Sequence, residues 1–146
     1  MPELPEVQTV VNHIKDELIG ETIVELKAIW PKVFHNFESV DFFKRNSDAK
    51  ILDVNRRAKF IIIQFKHSRL SVHLRMTGKL YFSKGKAPKH TSAEVFLKSK
   101  KTLIFQDVRK FGRFYLYRNL NKINERHGPE PLGKKFTKNI FFNILK

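Results

Sequence analysis

Cysteine is absent from this 146-residue chain. That excludes disulfides and any zinc site built on thiolates. The six histidines, His13, His35, His67, His73, His90 and His127, show no close metal-ligand spacing, so no metal is expected. No apolar run reaches the roughly 18 residues that a membrane-spanning helix needs. The first residues are acidic and lack the basic, apolar and small-residue order of a secretory signal. The expected location is the cytoplasm, in association with the nucleoid if the partner is DNA.

Acidic residues are scarce in the second part of the chain. Residues 1–50 hold 6 Lys/Arg against 9 Asp/Glu, a net charge of −3, whereas residues 51–146 hold 23 against 5, a net of +18. A basic surplus confined to one part of a chain points to a polyanionic partner. Solvated faces and compositional bias also produce basic runs, so charge alone favours nucleic acid without establishing it. With 41% hydrophobic residues the chain can bury a core, as one domain or one domain with a fragment of a second.

Apolar residues Val7, Val10, Val11, Ile14 and Leu18 recur with the spacing of one helix face. Pro5 suits the first helical position, Glu6 complements the positive helix end, and Gly20 suits the stop. After Gly20 the pattern becomes one of short β-branched and aromatic stretches. Strands are expected at Thr22–Leu26, Lys50–Val54, Phe60–Phe65, Ser71–Leu74, Gly78–Phe82, Glu94–Leu97, Lys101–Phe105 and Arg113–Tyr117, with a short helix somewhere in Phe34–Lys44. The expected fold is mainly β with flanking helices: an about eight-stranded β-sandwich with an N-terminal amphipathic helix. HGPEPLG at 127–133 reads as a linker, and Thr137 as the cap of a short helix carrying Ile140, Phe141, Ile144 and Leu145. The expected division is a catalytic domain over 1–126, then a linker and the start of a second domain over 127–146.

Six stretches form an ordered series: MPELPEV, NRRAKF (55–60), HLRMTGKL (73–80), KH (89–90), QDVRKFGR (106–113) and HGPEPL (127–132). The series resembles the formamidopyrimidine-DNA glycosylase family of base-excision repair enzymes, over Met1 to about residue 133. Leu4 leans towards the branch acting on oxidised purines. The resemblance implies that Pro2, once Met1 is removed, is a nucleophile. An α-amino group titrates near pH ~8, and a basic cleft should lower that further. Glu3 is implied as the proton carrier for sugar and departing base, and Lys59 as the lysine that reaches DNA phosphates and assists β-elimination.

Met76, Arg109 and Phe111 match the family's intercalating trio, which fills the gap left by an extruded base. His90 matches a DNA-contacting histidine, and Arg56 and Arg57 read as backbone contacts. Glu6 is read both as a group near the reacting sugar and as a helix-dipole partner. His73 reads as structural or as a phosphate neighbour. Four positions depart from the family pattern. Arg75 stands where Gly is usual, Val108 where Pro is, Lys110 where Arg is, and His127 where Leu is. Arg75 can grip phosphate or crowd the site.

The implied activity is that of a glycosylase and abasic-site lyase on oxidised purines, including 8-oxoguanine and formamidopyrimidine, with damaged double-stranded DNA as partner and the chain a monomer. Only the first turns of the family's second domain are expected in this sequence, without the C-terminal zinc finger, so no cofactor is expected in the chain. The alternatives are a truncated DNA-binding remnant with weak or no catalysis, and half of a two-chain enzyme completed by a C-terminal partner.

Overall fold

Helix α1, Leu4–Leu18, turns its apolar face inward, leaving Val7, Val11, Ile14 and Leu18 at most 1% exposed. It opens a computed structural model that describes residues 4–83 and 85–118. Pro2, Glu3, the 127–133 linker and the helix expected after Thr137 lie outside the described residues. Gly20, at φ +92°, ends α1 in a left-handed conformation that costs glycine little. Among the described residues no helix is long and apolar enough to cross a membrane.

Eight strands follow: β1 Ile23–Ala28, β2 Asp53–Arg57, β3 Phe60–Gln64, β4 Arg69–His73, β5 Lys79–Phe82, β6 Thr91–Leu97, β7 Thr102–Gln106 and β8 Arg113–Tyr117, with helix α2 at Ser39–Arg45. They form two four-stranded antiparallel sheets, ordered β1-β6-β7-β5 and β2-β3-β4-β8. Period-2 alternation sends Ile61, Ile63, Leu70, Val72 and Phe114 from one sheet, and Leu26, Val95, Leu103 and Phe105 from the other, into one core. The Phe105 and Phe114 rings meet edge-on across it, with centroids 5.4 Å apart. Helix α1 packs against the edge strands β2 and β5, closing one open side of the sandwich. On the far side, Val33 and His35 bond to Phe114 and extend the second sheet beyond β8.

The expected eight-stranded sandwich with its N-terminal helix is the observed fold. One boundary differs in a way that matters. The expected strand Lys50–Val54 is shifted, and the observed strand runs from Asp53 to Arg57. The cations of NRR are therefore strand residues. Arg56 lies opposite Ile61 and Arg57 opposite Phe60.

The antiparallel register carries a functional consequence. Arg57 pairs with Phe60, His73 with both Phe60 and Arg113, and Gln106 with both Lys79 and Thr91. The β2–β3 hairpin, the β4–β5 loop, the residues leading into β6, and the β7–β8 loop therefore all emerge at one end. The Gly20 amide, just past the C-terminus of α1, bonds Ile51 at the opposite end of β2. The N-terminus of α1 thus points to the same end as those loops.

Candidate nucleic-acid interface

Lys59 and Ala58 form the two-residue tip of the β2–β3 hairpin, with Ala58 at φ +53°. The Arg56 guanidinium braces this tip. Its Nη1 donates to the Ala58 carbonyl at 2.9 Å, and its Nε donates to Gln8 Oε1 of α1 at 3.3 Å. Arg56, expected as a backbone contact to DNA, thus couples the hairpin carrying Lys59 to the helix that follows Pro2 and Glu3. Arg57 is half-buried, and Glu6 is exposed in the first turn of α1.

The β4–β5 loop carries Met76 and the β7–β8 loop carries Arg109 and Phe111. Met76 is 49% exposed and Phe111 47%, large apolar groups presented to solvent. Arg109 lies between them, with Nη1 3.8 Å from Met76 Sδ and its guanidinium carbon 5.8 Å from the Phe111 ring centroid. The two loops thus present their three side chains as one cluster.

Beneath the cluster the packing is tight. A Cβ on Gly112 would come within 2.3 Å of the buried Phe105 ring, and one on Gly78 within 2.5 Å of the Leu74 carbonyl oxygen and 2.9 Å of the same ring. Only glycine lets both loops descend onto Phe105. Between them sits Asp107, 1% exposed. Lys110, at φ +59°, turns back so that its ammonium lies 5.1 Å over the Trp30 ring. Arg113 Nη1 donates to the Lys110 and Gly112 carbonyls at 2.8 and 2.9 Å.

His90 immediately precedes β6, at φ +65°, and its carbonyl accepts the Asp107 amide at 3.0 Å. His73 is buried, stacks edge-on against Phe60, and accepts the Arg75 amide at Nδ1 over 3.2 Å. These contacts give it a packing role. Arg75 is exposed at φ +58°. Ala58, Arg75, His90 and Lys110 make four of the six non-glycine residues with left-handed φ among the described residues. Strain of this kind gathers where a loop is held for use rather than for stability.

Asp107, Thr77, Phe105 and Trp30 were not singled out from sequence. Asp107 carried a usable signal: it is the only acidic residue between Glu94 and Tyr117, within an otherwise basic stretch. Among the described residues no group of three or more His, Cys, Asp or Glu is placed to hold a metal ion. A surface cleft of about 510 Å³ lined by Phe34, Phe37, Glu38 and Asp41 includes none of the loop-end residues. Among the described residues, the loop-end side chains of the candidate site form a projecting surface.

A two-sheet sandwich that gathers basic and exposed large apolar side chains on loop tips at one end has the form of a nucleic-acid-engaging domain. The family model for the formamidopyrimidine-DNA glycosylase N-terminal domain matches residues 1–114, and the chain belongs to that family. It is 40% identical over 151 residues to a formamidopyrimidine-DNA glycosylase of Herpetosiphon aurantiacus, covering 99% of this chain and 55% of that protein. For the one from Protochlamydia amoebophila the identity is 37%, with 100% and 54% covered. A solved complex of Lactococcus lactis Fpg (MutM) with DNA containing N7-benzyl-Fapy-dG superposes with a TM-score of 0.69 at 31% identity. That match covers 79% of this chain and 43% of that one. The chain spans about half the length of the curated relatives it matches.

Proposed function

We propose that this chain is the catalytic half of a DNA repair glycosylase that removes oxidised purines and cuts the strand at the resulting abasic site. The Pro2 amine attacks the sugar C1′. The glycosidic bond breaks towards the base, which leaves with the electron pair and takes a proton from Glu3. The amine then sheds its proton, the C1′–O4′ bond opens with O4′ taking a proton carried by Glu3, and the iminium left between Pro2 and C1′ acidifies the C2′ protons. Loss of one of them expels the 3′ phosphate by β-elimination, with Lys59 against the phosphates. Met76, Arg109 and Phe111 fill the space of the extruded nucleotide, and His90 and Arg57 contact the strand. Residues 1–126 form the catalytic domain and 127–146 the lead into a second. The chain acts as a monomer or together with a complementing C-terminal chain.

The observation that carries this reading is the Met76–Arg109–Phe111 cluster, at the end of the sandwich towards which α1 directs its N-terminus. An apolar wedge beside a hydrogen-bonding guanidinium suits a duplex with one base removed. Borohydride reduction is the test. Protein with Pro2 as its free N-terminus should form a covalent adduct with duplexes carrying an abasic site or 8-oxoguanine. Salt-sensitive DNA binding without any adduct would instead mark a binding remnant.

A further inference from the structure

Asp107 ties together three of the four segments gathered at this end: the β4–β5 loop, the lead into β6 and the β7–β8 loop. Its carboxylate accepts the Thr77 hydroxyl on one oxygen and the Gly112 amide, at 2.7 Å, on the other. Its own amide donates to the His90 carbonyl at 3.0 Å, and its carbonyl accepts the Lys110 amide at 3.2 Å. The Thr77 hydroxyl oxygen in turn accepts the Arg109 amide at 3.3 Å. The chain Gly112–Asp107–Thr77–Arg109 therefore ties the neighbour of Met76 to both ends of the segment carrying Arg109 and Phe111.

We infer that Asp107 and Thr77 are positioning residues that preorganise the three-residue wedge, and that they set preference for damaged over intact duplex rather than affinity for DNA as such. The physical reason lies in what each group can accept and donate. A carboxylate offers acceptor oxygens on both sides, which the Thr77 hydroxyl and the Gly112 amide require together. Buried at 1% exposure, it loses hydrogen-bond energy that water cannot restore if either donor is removed. Met76 and Phe111 are nearly half exposed and each lies beside Arg109, so their position depends on the backbone beneath the cluster. Intact duplex, gripped by Lys and Arg on phosphates, does not need the wedge. A duplex with a missing base does.

The inference rests on the DNA-repair reading for what the wedge does, so its test has two readouts. Thr77→Val removes the hydroxyl while keeping the shape, and Thr77→Ser restores it. The first readout is the ratio of affinities for a duplex with a tetrahydrofuran abasic analogue and for the intact duplex. Thr77→Val should lower that ratio roughly threefold to tenfold, the size of one buried hydrogen bond, with intact-duplex affinity unchanged and Thr77→Ser close to wild type. Equal loss on both duplexes, an unchanged ratio, or failure of Thr77→Ser to rescue overturns the inference. The second readout is hydrogen exchange at the Gly112 and Arg109 amides in the free protein, which Thr77→Val and Asp107→Asn should accelerate and Thr77→Ser should not. If wild-type protein shows no preference for the abasic duplex, the DNA-repair reading fails. The exchange data then decide the clamp alone, and unchanged exchange in Thr77→Val refutes it.

Discussion

Arg109 rests against Met76 across two different loops, its Nη1 3.8 Å from the thioether sulfur and its guanidinium carbon 5.8 Å from the Phe111 ring centroid. Three exposed side chains already gathered in the free protein lose less entropy on insertion than three independent ones. Met76→Ala and Phe111→Ala should therefore each weaken capture of an abasic duplex by about 1–3 kcal/mol, the scale of the unstacking cost they offset. Intact duplex should bind nearly as before. Anisotropy titrations on both duplexes measure this, and parallel losses on the two would remove the wedge role.

Arg75 occupies a left-handed conformation, φ +58°, one residue before Met76. Position 75 is where the family resemblance leads one to expect Gly, and the backbone supplies the reason: only glycine adopts this conformation without a penalty of about 1–2 kcal/mol. Arg75→Gly should relieve that strain, offset in part by the greater entropy of the unfolded chain. The expected outcome is a melting temperature unchanged or a few degrees higher. If the exposed guanidinium touches a phosphate, the same variant should lower the slope of log affinity against log salt by about one contact. A clear loss of thermal stability would show that the side chain, not the backbone, governs this position.

Much of the architecture was legible because short alternating strands and the i, i+3, i+4 face of α1 are local signals. Of the five residues expected on one face, Val7, Val11, Ile14 and Leu18 are buried, and Val10 packs partly buried against the core. The start of β2 was misplaced because Arg56 and Arg57 look like loop charges. Within the strand, the Arg56 guanidinium is received by the Ala58 carbonyl two residues on and by Gln8, which tertiary packing of α1 brings close. The grouping of Met76, Arg109 and Phe111 at exposed loop tips was legible through motif order and through the glycine turn around Phe111. Asp107 stood out only as the lone carboxylate of a basic stretch, and its burial follows once the partners at 77, 90 and 112 are brought around it.

Gly112 and Gly20 make a controlled pair for the packing beneath the wedge. A Cβ at Gly112 would lie 2.3 Å from the Phe105 ring, whereas one at Gly20 meets nothing within 4 Å and opposes only the backbone, at φ +92°. Gly112→Ala must push a fully buried ring in the core and should destabilise by about 2–3 kcal/mol. Gly20→Ala should stay near 1 kcal/mol, the cost of a left-handed alanine. Urea unfolding of both variants measures the difference. Equal effects would mean that the loops shift freely over Phe105, contrary to a rigid wedge.

The chemistry assigned to the N-terminus predicts a particular pattern of loss. Pro2 and Lys59 each offer an amine, so Pro2→Gly should retain some cleavage at preformed abasic sites while excision of an intact damaged base falls severely. Glu3→Gln should likewise affect base excision more than abasic-site cleavage, because no base remains there to be protonated. Lys59→Met should act in the opposite sense, slowing strand cleavage more than the first attack, since the lysine at the hairpin tip is assigned to the phosphates. The three variants together separate nucleophile, acid and phosphate contact by which step each one slows. Single-turnover assays with matched 8-oxoguanine and abasic duplexes read out both steps. An unchanged Pro2→Gly variant in both assays would falsify the proline mechanism and return Pro2 to the role of a lead-in to α1.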